Sequence, residues 1–427
     1  MANFDKATVA ALDWLSSRAV LMCIYLLLLV SPQSARSQFI GEDILRGRKS
    51  VTVPFDMVGG FMIVKLRYNG IIPLNFIFDT GASNTILFDR TYADIFNVSY
   101  SDTMEVVGAD IVGGLDGYIA RRGTFSIADP PIKVKRDYVV LSDDLLQLEE
   151  SLGIPVHGLL GSNFFKRLTV KINYVKRTLT FYDPSKLSIS KKYEALPTQI
   201  INGKPYITCH VTTEDTNIAL KMLLDTGADI STVLHSNTND NIRIPENSIP
   251  GYLGTGLSGH LVGHIGLVDE IKLGSTSFRT LIANYQNIES DTLAELQLQR
   301  NGIVGNTLLS RFHIIIDFIS RTVYLRPNKY LKHDFKTDKS GLIVNAFGDD
   351  FNHFVVHYVY PNSAADEADI KKGDIIDKVG RCKSSRLTLS KLAKRFQAKA
   401  GKEVKLRLSR NGELIKTTLT LRELIER

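Results

Sequence analysis

Short apolar or alternating runs, separated by turns rich in glycine, asparagine and aspartate, fill most of residues 51–328. Runs of this length and period predict β-strands rather than helices. In the first part of this region we predict strands at residues 60–68, 74–78, 117–127, 137–141, 168–173 and 178–182. Helical patterns are few, and they cover residues 142–152, the residues after Gly161, and residues 289–299. The predicted fold class is therefore mainly β.

The pattern changes after residue 328. A β-type run at residues 354–360 leads into a turn, a helix is predicted at 387–400, and strands at 404–410 and 414–421 flank the turn Asn411-Gly412. This mixture predicts a small α+β domain. At 427 residues the chain is long enough for several domains. We divide it into residues 1–37, 38–184, 185–328 and 329–427.

The tripeptide Asp-Thr-Gly occurs twice, as Asp79-Thr80-Gly81 and as Asp225-Thr226-Gly227, and each copy follows an apolar run. One such turn is common loop chemistry, but here the flanking sequence repeats as well. Residues 158–161, Gly-Leu-Leu-Gly, correspond to residues 302–305, Gly-Ile-Val-Gly, and other glycine and apolar positions stay in register. The chain therefore contains two copies of one β-rich unit.

These motifs resemble those of the pepsin–retropepsin aspartic proteases. Residues 78–83, Phe-Asp-Thr-Gly-Ala-Ser, and 224–229, Leu-Asp-Thr-Gly-Ala-Asp, are similar to the active-site turns, and the second copy is especially close to the retroviral form. The Gly-Leu-Leu-Gly and Gly-Ile-Val-Gly segments resemble the second family signature. The resemblance implies two homologous β-rich lobes that form a pseudo-dimer, with Asp79 and Asp225 as the catalytic pair.

The resemblance also implies roles for residues near the pair. Thr80 and Thr226 are expected to lock the lobes by crossed hydrogen bonds, and Gly81 and Gly227 to let the backbone approach the carboxylates. Substrate contact is expected at four further positions, which are Ser83, Asp229, Gly108 and Gly254. The last two lie in glycine-rich stretches where a flap hairpin is expected, and ordinary connecting loops are the alternative for these stretches. A solvated turn charge is the alternative for Asp229.

Two carboxylates held in contact share one proton and titrate as a unit. The ionised member can take a proton from water while the protonated member polarises a carbonyl. Ala82 and Ala228 follow the two turns, where many pepsin relatives carry a hydroxyl that favours the charged carboxylate. We therefore predict raised pKa values for the pair and activity at mildly acidic to near-neutral pH.

The C-terminal domain resembles a bacterial PDZ domain. The resemblance is carried by residues 362–365, Asn-Ser-Ala-Ala, and 372–376, Lys-Gly-Asp-Ile-Ile. It implies a peptide-binding loop at Gly341, Leu342, Ile343 and Val344, which departs from the commoner Gly-Leu-Gly-Phe form. A structural or regulatory cap is the alternative to peptide capture.

An apolar run at residues 19–30 is followed by small residues and fits a signal peptide that is cut before Gln38. The protein is therefore expected to be exported, to the periplasm or the medium. A retained membrane anchor is the alternative, and only then is a membrane a partner. Cys209 and Cys382 lie in different predicted domains and are expected to be packing residues, not a disulfide.

The net charge of +7 comes from the C-terminal region, and no nucleic-acid motif accompanies it. No nucleic acid is expected as a partner. His157, His260 and His264 lack a third ligand at metal-binding spacing, so neither a metal nor another cofactor is expected.

The sequence predicts an exported aspartic endopeptidase that acts on peptides or proteins, with a PDZ domain that recruits or gates substrate. A C-terminal peptide is a possible ligand of that domain. An inactive protease fold that serves as a peptide-binding scaffold is the main alternative, and a membrane-anchored processing enzyme is a third.

Overall fold

The computed structural model describes residues 42–108, 114–142, 146–213, 216–256, 259–288 and 300–425. Residues Asp43–Arg427 form one compact unit. The predicted signal peptide and the predicted helix at 289–299 lie outside the described residues. Within the described ranges, no helix combines the length and apolar character that a membrane crossing requires.

The structure is mainly β. What we call the first half contains β1 (Ser50–Pro54), β2 (Asp56–Val58), β3 (Phe61–Tyr68), β4 (Ile72–Phe78), β5 (Ile86–Leu87), β6 (Tyr100–Val107), β7 (Gly114–Ile127), β8 (Ile132–Leu141), β9 (Gly158–Leu160), β10 (Thr169–Asn173) and β11 (Thr178–Tyr182). The second half contains β12 (Glu194–Ile201), β13 (Lys204–Thr213), β14 (Thr216–Leu224), β15 (Thr232–His235), β16 (Ile249–Gly256), β17 (Gly259–Leu273), β18 (Thr276–Gln286), β19 (Gly302–Val304), β20 (Phe312–Asp317) and β21 (Thr322–Pro327). The C-terminal sheet contains β22 (Leu342–Phe347), β23 (His353–Val359), β24 (Ile375–Val379), β25 (Cys382–Lys383), β26 (Glu403–Arg410) and β27 (Glu413–Thr420).

The helices are short. They are α1 (Glu42–Leu45), α2 (Thr91–Asp94), α3 (Leu146–Leu152), α4 (Asn306–Leu309), α5 (Ala364–Glu367) and α6 (Leu389–Phe396), with 3₁₀ turns at Ser162–Phe164, Pro184–Lys186 and Ser384–Arg386. The helix predicted at 387–400 is shorter at both ends. It begins after Thr388, whose hydroxyl accepts from the Lys391 N–H, and Gln397 caps its end.

The strand predictions hold in type and differ mainly in length. The strand predicted at 178–182 has the observed bounds, whereas that predicted at 137–141 is the last part of β8. The longer strand arises because Ile132, Val134 and Arg136 alternate with exposed residues and all point into the protein. The helix predicted after Gly161 is the 3₁₀ turn Ser162–Phe164.

The same order of strand pairing occurs in both halves. In the first half, one sheet runs β2-β3-β4-β9-β5-β8-β7-β6, with an extra pairing of β3 to β7. In the second half the order is β12-β13-β14-β19-β15-β18-β17-β16, with an extra pairing of β13 to β17. The repeat seen in the sequence is therefore also a repeat of topology.

A run of strands drawn from both halves joins them. Its order is β1-β11-β10-β20-β21-β12, and it continues through β13 into the sheet of the second half. At its centre β10 and β20 are antiparallel, and Lys171 pairs with Ile315. This pairing fixes the two halves relative to each other, because a register slip would turn buried side chains such as Ile172 and Ile314 outward.

The C-terminal sheet has the order β22-β23-β24-β26-β27, with β25 paired to β24. Its core includes Phe354, Ile376, Leu392 and Phe396. A separate apolar cluster joins it to the hairpin β16–β17 of the second half, through Tyr360 and Ile425 against Ile265. Helix α3 of the first half also contacts both β22 and β16.

Candidate active site

The two Asp-Thr-Gly turns follow equivalent strands. Asp79 comes after β4, which is parallel to β9, and Asp225 comes after β14, which is parallel to β19. The pairings continue past the strand ends, since the Asp79 N–H donates to Leu160 O at 3.2 Å and the Asp225 N–H donates to Val304 O at 3.0 Å. Both aspartates are thus held at the ends of buried parallel strands.

The second glycine motif explains how these strands pack. A Cβ atom on Gly158 would lie 2.1 Å from Ile86 O, and one on Gly302 would lie 2.0 Å from Val233 O. Only glycine lets β5 and β15 pass this close to β9 and β19. The motif therefore holds each aspartate strand against the strand that supports it.

Crossed hydrogen bonds connect the two turns. The Thr80 N–H donates to Thr226 Oγ1 and the Thr226 N–H donates to Thr80 Oγ1, both at 3.0 Å. Each hydroxyl also donates to the opposite strand, Thr80 to Leu224 O at 2.7 Å and Thr226 to Phe78 O at 2.9 Å. Both threonine residues are fully buried. The turns are therefore joined by four bonds that water cannot replace.

The two carboxyl groups face each other across this junction. A Cβ on Gly81 would lie 2.5 Å from an Asp225 oxygen, and one on Gly227 would lie 2.4 Å from Asp79 Cγ. Each aspartate also accepts a bond from its own turn, from the Gly81 N–H at 2.6 Å and from the Gly227 N–H at 2.7 Å. Glycine at both positions is thus required by the close approach of the carboxyl groups.

The pair is almost inaccessible to solvent, with Asp79 8 % and Asp225 2 % exposed. Burial raises the pKa of the Asp79 carboxyl well above its ordinary value, and the charge and hydrogen bond of Asp225 raise it further. The Gly81 N–H and the ammonium of Lys204 lower this pKa by smaller amounts. The geometry therefore favours one shared proton on the pair.

Ser83 and Asp229 occupy equivalent places after the two turns, at different margins of the site. Ser83 lines a pocket that contains Asp79. Asp229 lies against Gly60, where a Cβ would come within 1.6 Å of its Oδ1. Desolvation by the surrounding protein raises the pKa of the Asp229 carboxyl, although the residue keeps exposed surface.

Asn306 had not been expected at the site. Its side-chain amide donates to Thr226 O at 2.6 Å and to Gly60 O at 3.0 Å, and its carbonyl accepts from the Tyr174 hydroxyl at 2.7 Å. It therefore connects the second aspartate turn to the β2–β3 hairpin of the first half. Its position, directly after the second glycine motif, was the available signal in the sequence.

The two glycine-rich stretches lie partly outside the described residues, and their described parts belong to the antiparallel pairs β6–β7 and β16–β17. Gly108 follows β6 and lines the pocket beside Asp79. Gly254 lies at a bulge in β16, where a Cβ would meet nothing within 4 Å.

The loop expected to capture a peptide carboxylate bonds to its own chain. The Gly341 N–H donates to Asp338 Oδ1 at 3.1 Å, and the Leu342 N–H donates to Ser340 Oγ at 3.1 Å. Ile343 packs in the cluster against the β16–β17 hairpin, whereas Val344 packs on the core of the C-terminal sheet. These two N–H groups thus have internal acceptors in this structure.

Within the described ranges, no group of three or more His, Cys, Asp or Glu side chains is arranged to hold a metal. Cys209 and Cys382 are free thiols. Burial raises the pKa of the Cys209 thiol to about 12, as expected for a packing residue.

No protein-family model and no curated protein sequence matches the chain.

Proposed function

We propose that the protein is an aspartic endopeptidase in which Asp79 and Asp225 activate water against a peptide bond. The observation that carries the proposal is the contact between the two buried carboxyl groups, each set against the glycine of the opposite turn. Carboxyl groups so placed share a proton, and a pair that holds one proton can supply both a general base and a general acid.

The two carboxyl groups titrate as a coupled pair, so the shared proton belongs to the pair. In the proposed reaction, the ionised member takes a proton from water, and the resulting hydroxide attacks the scissile carbonyl carbon. The protonated member donates to the carbonyl oxygen; the proton taken from water then passes to the leaving nitrogen as the C–N bond breaks, and the proton lent to the carbonyl oxygen returns to the pair. The four bonds between the turns keep the carboxyl groups aligned throughout.

The test is cleavage of an unfolded protein and a peptide library, with and without a pepstatin-type inhibitor. We expect inhibitor-sensitive cleavage by the wild type and by Asp240→Asn, a control at an exposed carboxylate. We expect none by Asp79→Asn or Asp225→Asn. Cleavage that survives either of these two substitutions would exclude the pair as the catalyst.

The competing function is an inactive protease fold that binds peptides. It predicts peptide binding without cleavage in the wild type. The intact carboxyl pair favours the enzyme, because burying two carboxyl groups in contact is costly and a scaffold gains nothing from it.

We further propose that the two halves are the lobes of a pseudo-dimer and that the C-terminal sheet is a PDZ domain. The repeated strand order and the antiparallel β10–β20 pairing support the first point. The order of β22 to β27 and the helix α6 beside β22 support the second.

We propose that this PDZ domain gates the site instead of recruiting substrate. The Tyr360 hydroxyl donates to Tyr252 O in β16, and the rings of Tyr252 and Tyr358 stack with centroids 6.0 Å apart. Gly153, next to α3, lies between β22 and α6, where its Cβ would be 3.4 Å from Ala346 Cβ and 2.9 Å from Leu389 Cβ. The groove between β22 and α6, which would take a peptide, is thus in contact with the first half. The C-terminal sheet also contacts the β16–β17 hairpin.

Export remains part of the proposal. Its test is N-terminal sequencing of mature protein from the producing cells, with Gln38 expected as the first residue. A retained residue 1–37 segment would favour the membrane-anchored alternative.

A further inference from the structure

Lys204 is placed beside the carboxyl pair by a hairpin that has a counterpart in the other half. In the second half, Ile201 pairs with Lys204 across the two-residue turn between β12 and β13. In the first half, Val58 pairs with Phe61 across the turn between β2 and β3. The equivalent strand position is thus Lys204 in the second half and Phe61 in the first half, where Phe61 packs on the apolar cluster of that half.

The pocket beside Asp79 has a volume of about 170 Å³. Its apolar wall is formed by the side chains of Ile86, Met104, Val106 and Leu159. Lys204 and Asp79 provide charged groups at the same pocket. Glu105 also lines it, but its carboxylate lies over Gly114, where a Cβ would be 1.9 Å from Oε1.

The Lys204 ammonium is close enough to Asp79 for its charge to lower the pKa of that carboxyl, and the charges of both aspartates raise the pKa of the Lys204 amine. Burial, followed by the positive charge of Arg300, lowers the pKa of the Lys204 amine. Lys204 forms no salt bridge and no side-chain hydrogen bond with the part of the chain that the structure describes. Because no carboxylate lies within ion-pair distance of this ammonium in the described residues, a ligand carboxylate that forms a charge-assisted hydrogen bond with it gains affinity.

We propose that the pocket beside Asp79 binds an acidic side chain of the substrate residue next to the scissile bond, and that Lys204 selects it. The apolar wall accommodates the methylene stem of aspartate or glutamate, and the ammonium pairs with its carboxylate. The equivalent strand position of the first half is Phe61, which carries no charge. The inference rests on the proposed function, because it names the substrate class of the same site.

The experiment compares paired peptides that differ only by Glu or Gln next to the cleaved bond. With the wild type, we expect kcat/KM to be about 10- to 100-fold higher for the Glu peptide, the range of one charge-assisted hydrogen bond. Lys204→Gln should remove the preference, and Lys204→Arg should keep it. Lys272→Met, at an exposed lysine of β17, should leave it unchanged.

A second measurement separates failure of this inference from failure of the proposed function. The Asp79→Asn/Asp225→Asn protein is titrated with the same two labelled peptides and binding is followed by fluorescence anisotropy. Tighter binding of the Glu peptide that disappears with Lys204→Gln supports the inference even if no cleavage is found. Equal binding and equal cleavage of the two peptides by protein with intact Lys204 overturn it, as does a Glu preference that persists in Lys204→Gln.

Discussion

The crossed hydrogen bonds between the two turns give a prediction whose size follows from the structure. Thr80→Val keeps the side-chain shape but removes the hydroxyl that accepts from the Thr226 N–H and donates to Leu224 O. Both partners are fully buried, so water cannot replace either bond. Each buried polar group left without a partner costs about 1 to 3 kcal/mol. We therefore expect Thr80→Val to destabilise the protein by about 2 to 6 kcal/mol.

Two further variants show whether the hydroxyl is responsible. Thr80→Ser keeps both bonds and loses one methyl group, which should cost roughly 1 kcal/mol. Thr52→Val removes an exposed hydroxyl that bonds Thr180 Oγ1 at 3.0 Å, and it should change stability by less than about 0.5 kcal/mol.

The assay is urea unfolding followed by far-UV circular dichroism. The urea concentrations at the unfolding midpoint are compared between variants whose unfolding curves have equal m-values. The order of midpoints should be wild type and Thr52→Val highest, Thr80→Ser lower, and Thr80→Val lowest. If Thr80→Val is no less stable than Thr80→Ser, the hydroxyl does not join the turns and the described junction is wrong.

Three further predictions concern the site and the C-terminal sheet. Ala82→Ser/Ala228→Ser should shift the pH–rate profile for peptide cleavage to lower pH, because added hydroxyl donors favour the charged carboxylates; an unchanged profile contradicts this. Tyr360→Phe removes the hydrogen bond to Tyr252 O and should speed hydrogen exchange in β16 by an amount equivalent to about 0.5 to 1.5 kcal/mol. The control Tyr324→Phe should leave this exchange unchanged, and equal exchange in the two variants would argue against the proposed gating contact. The pKa of His357 is lowered by burial, by the charge of neighbouring His260 and by that of Lys372. The contact between the His357 and His260 rings is therefore most stable while His357 is neutral, above the ordinary histidine pKa of about 6.5. This stabilisation is lost as the pH falls below that value. Exchange in β16 and β17 should therefore rise between about pH 7 and pH 5, and His357→Gln should remove most of that dependence; a dependence that persists in His357→Gln assigns it to another group.

The sequence allowed much of the site to be predicted because its residues are set by local rules that repeat. Glycines at Gly158 and Gly302 are required by close backbone approach, and Thr80 and Thr226 are buried polar residues that need partners. Residues with such requirements recur at equivalent positions in the two copies of the unit, so the sequence shows them. The strands could be predicted because buried and exposed residues alternate along them, as in β8 and β13.

Lys204 and Asn306 were not predicted because their roles depend on contacts between distant segments. Lys204 is an ordinary strand residue by pattern, and only the folded hairpin brings it to Asp79. Phe61 and Lys204 correspond only through the strand pairings of the folded hairpins, so the repeat in the sequence did not bring them to one position. The contact of Gly153 with Leu389 likewise joins segments that no local pattern relates.

The claim that Asp79 and Asp225 act as one catalytic unit is tested most directly by a mutant cycle on cleavage rate. One peptide substrate is assayed with the wild type, Asp79→Asn, Asp225→Asn and the double variant. We expect each single substitution to reduce kcat by at least about 10³-fold and the double variant to be no slower than either single one, because groups that act as a unit are not additive. Losses that multiply in the double variant, or a single variant that retains wild-type activity, would contradict the shared-proton pair.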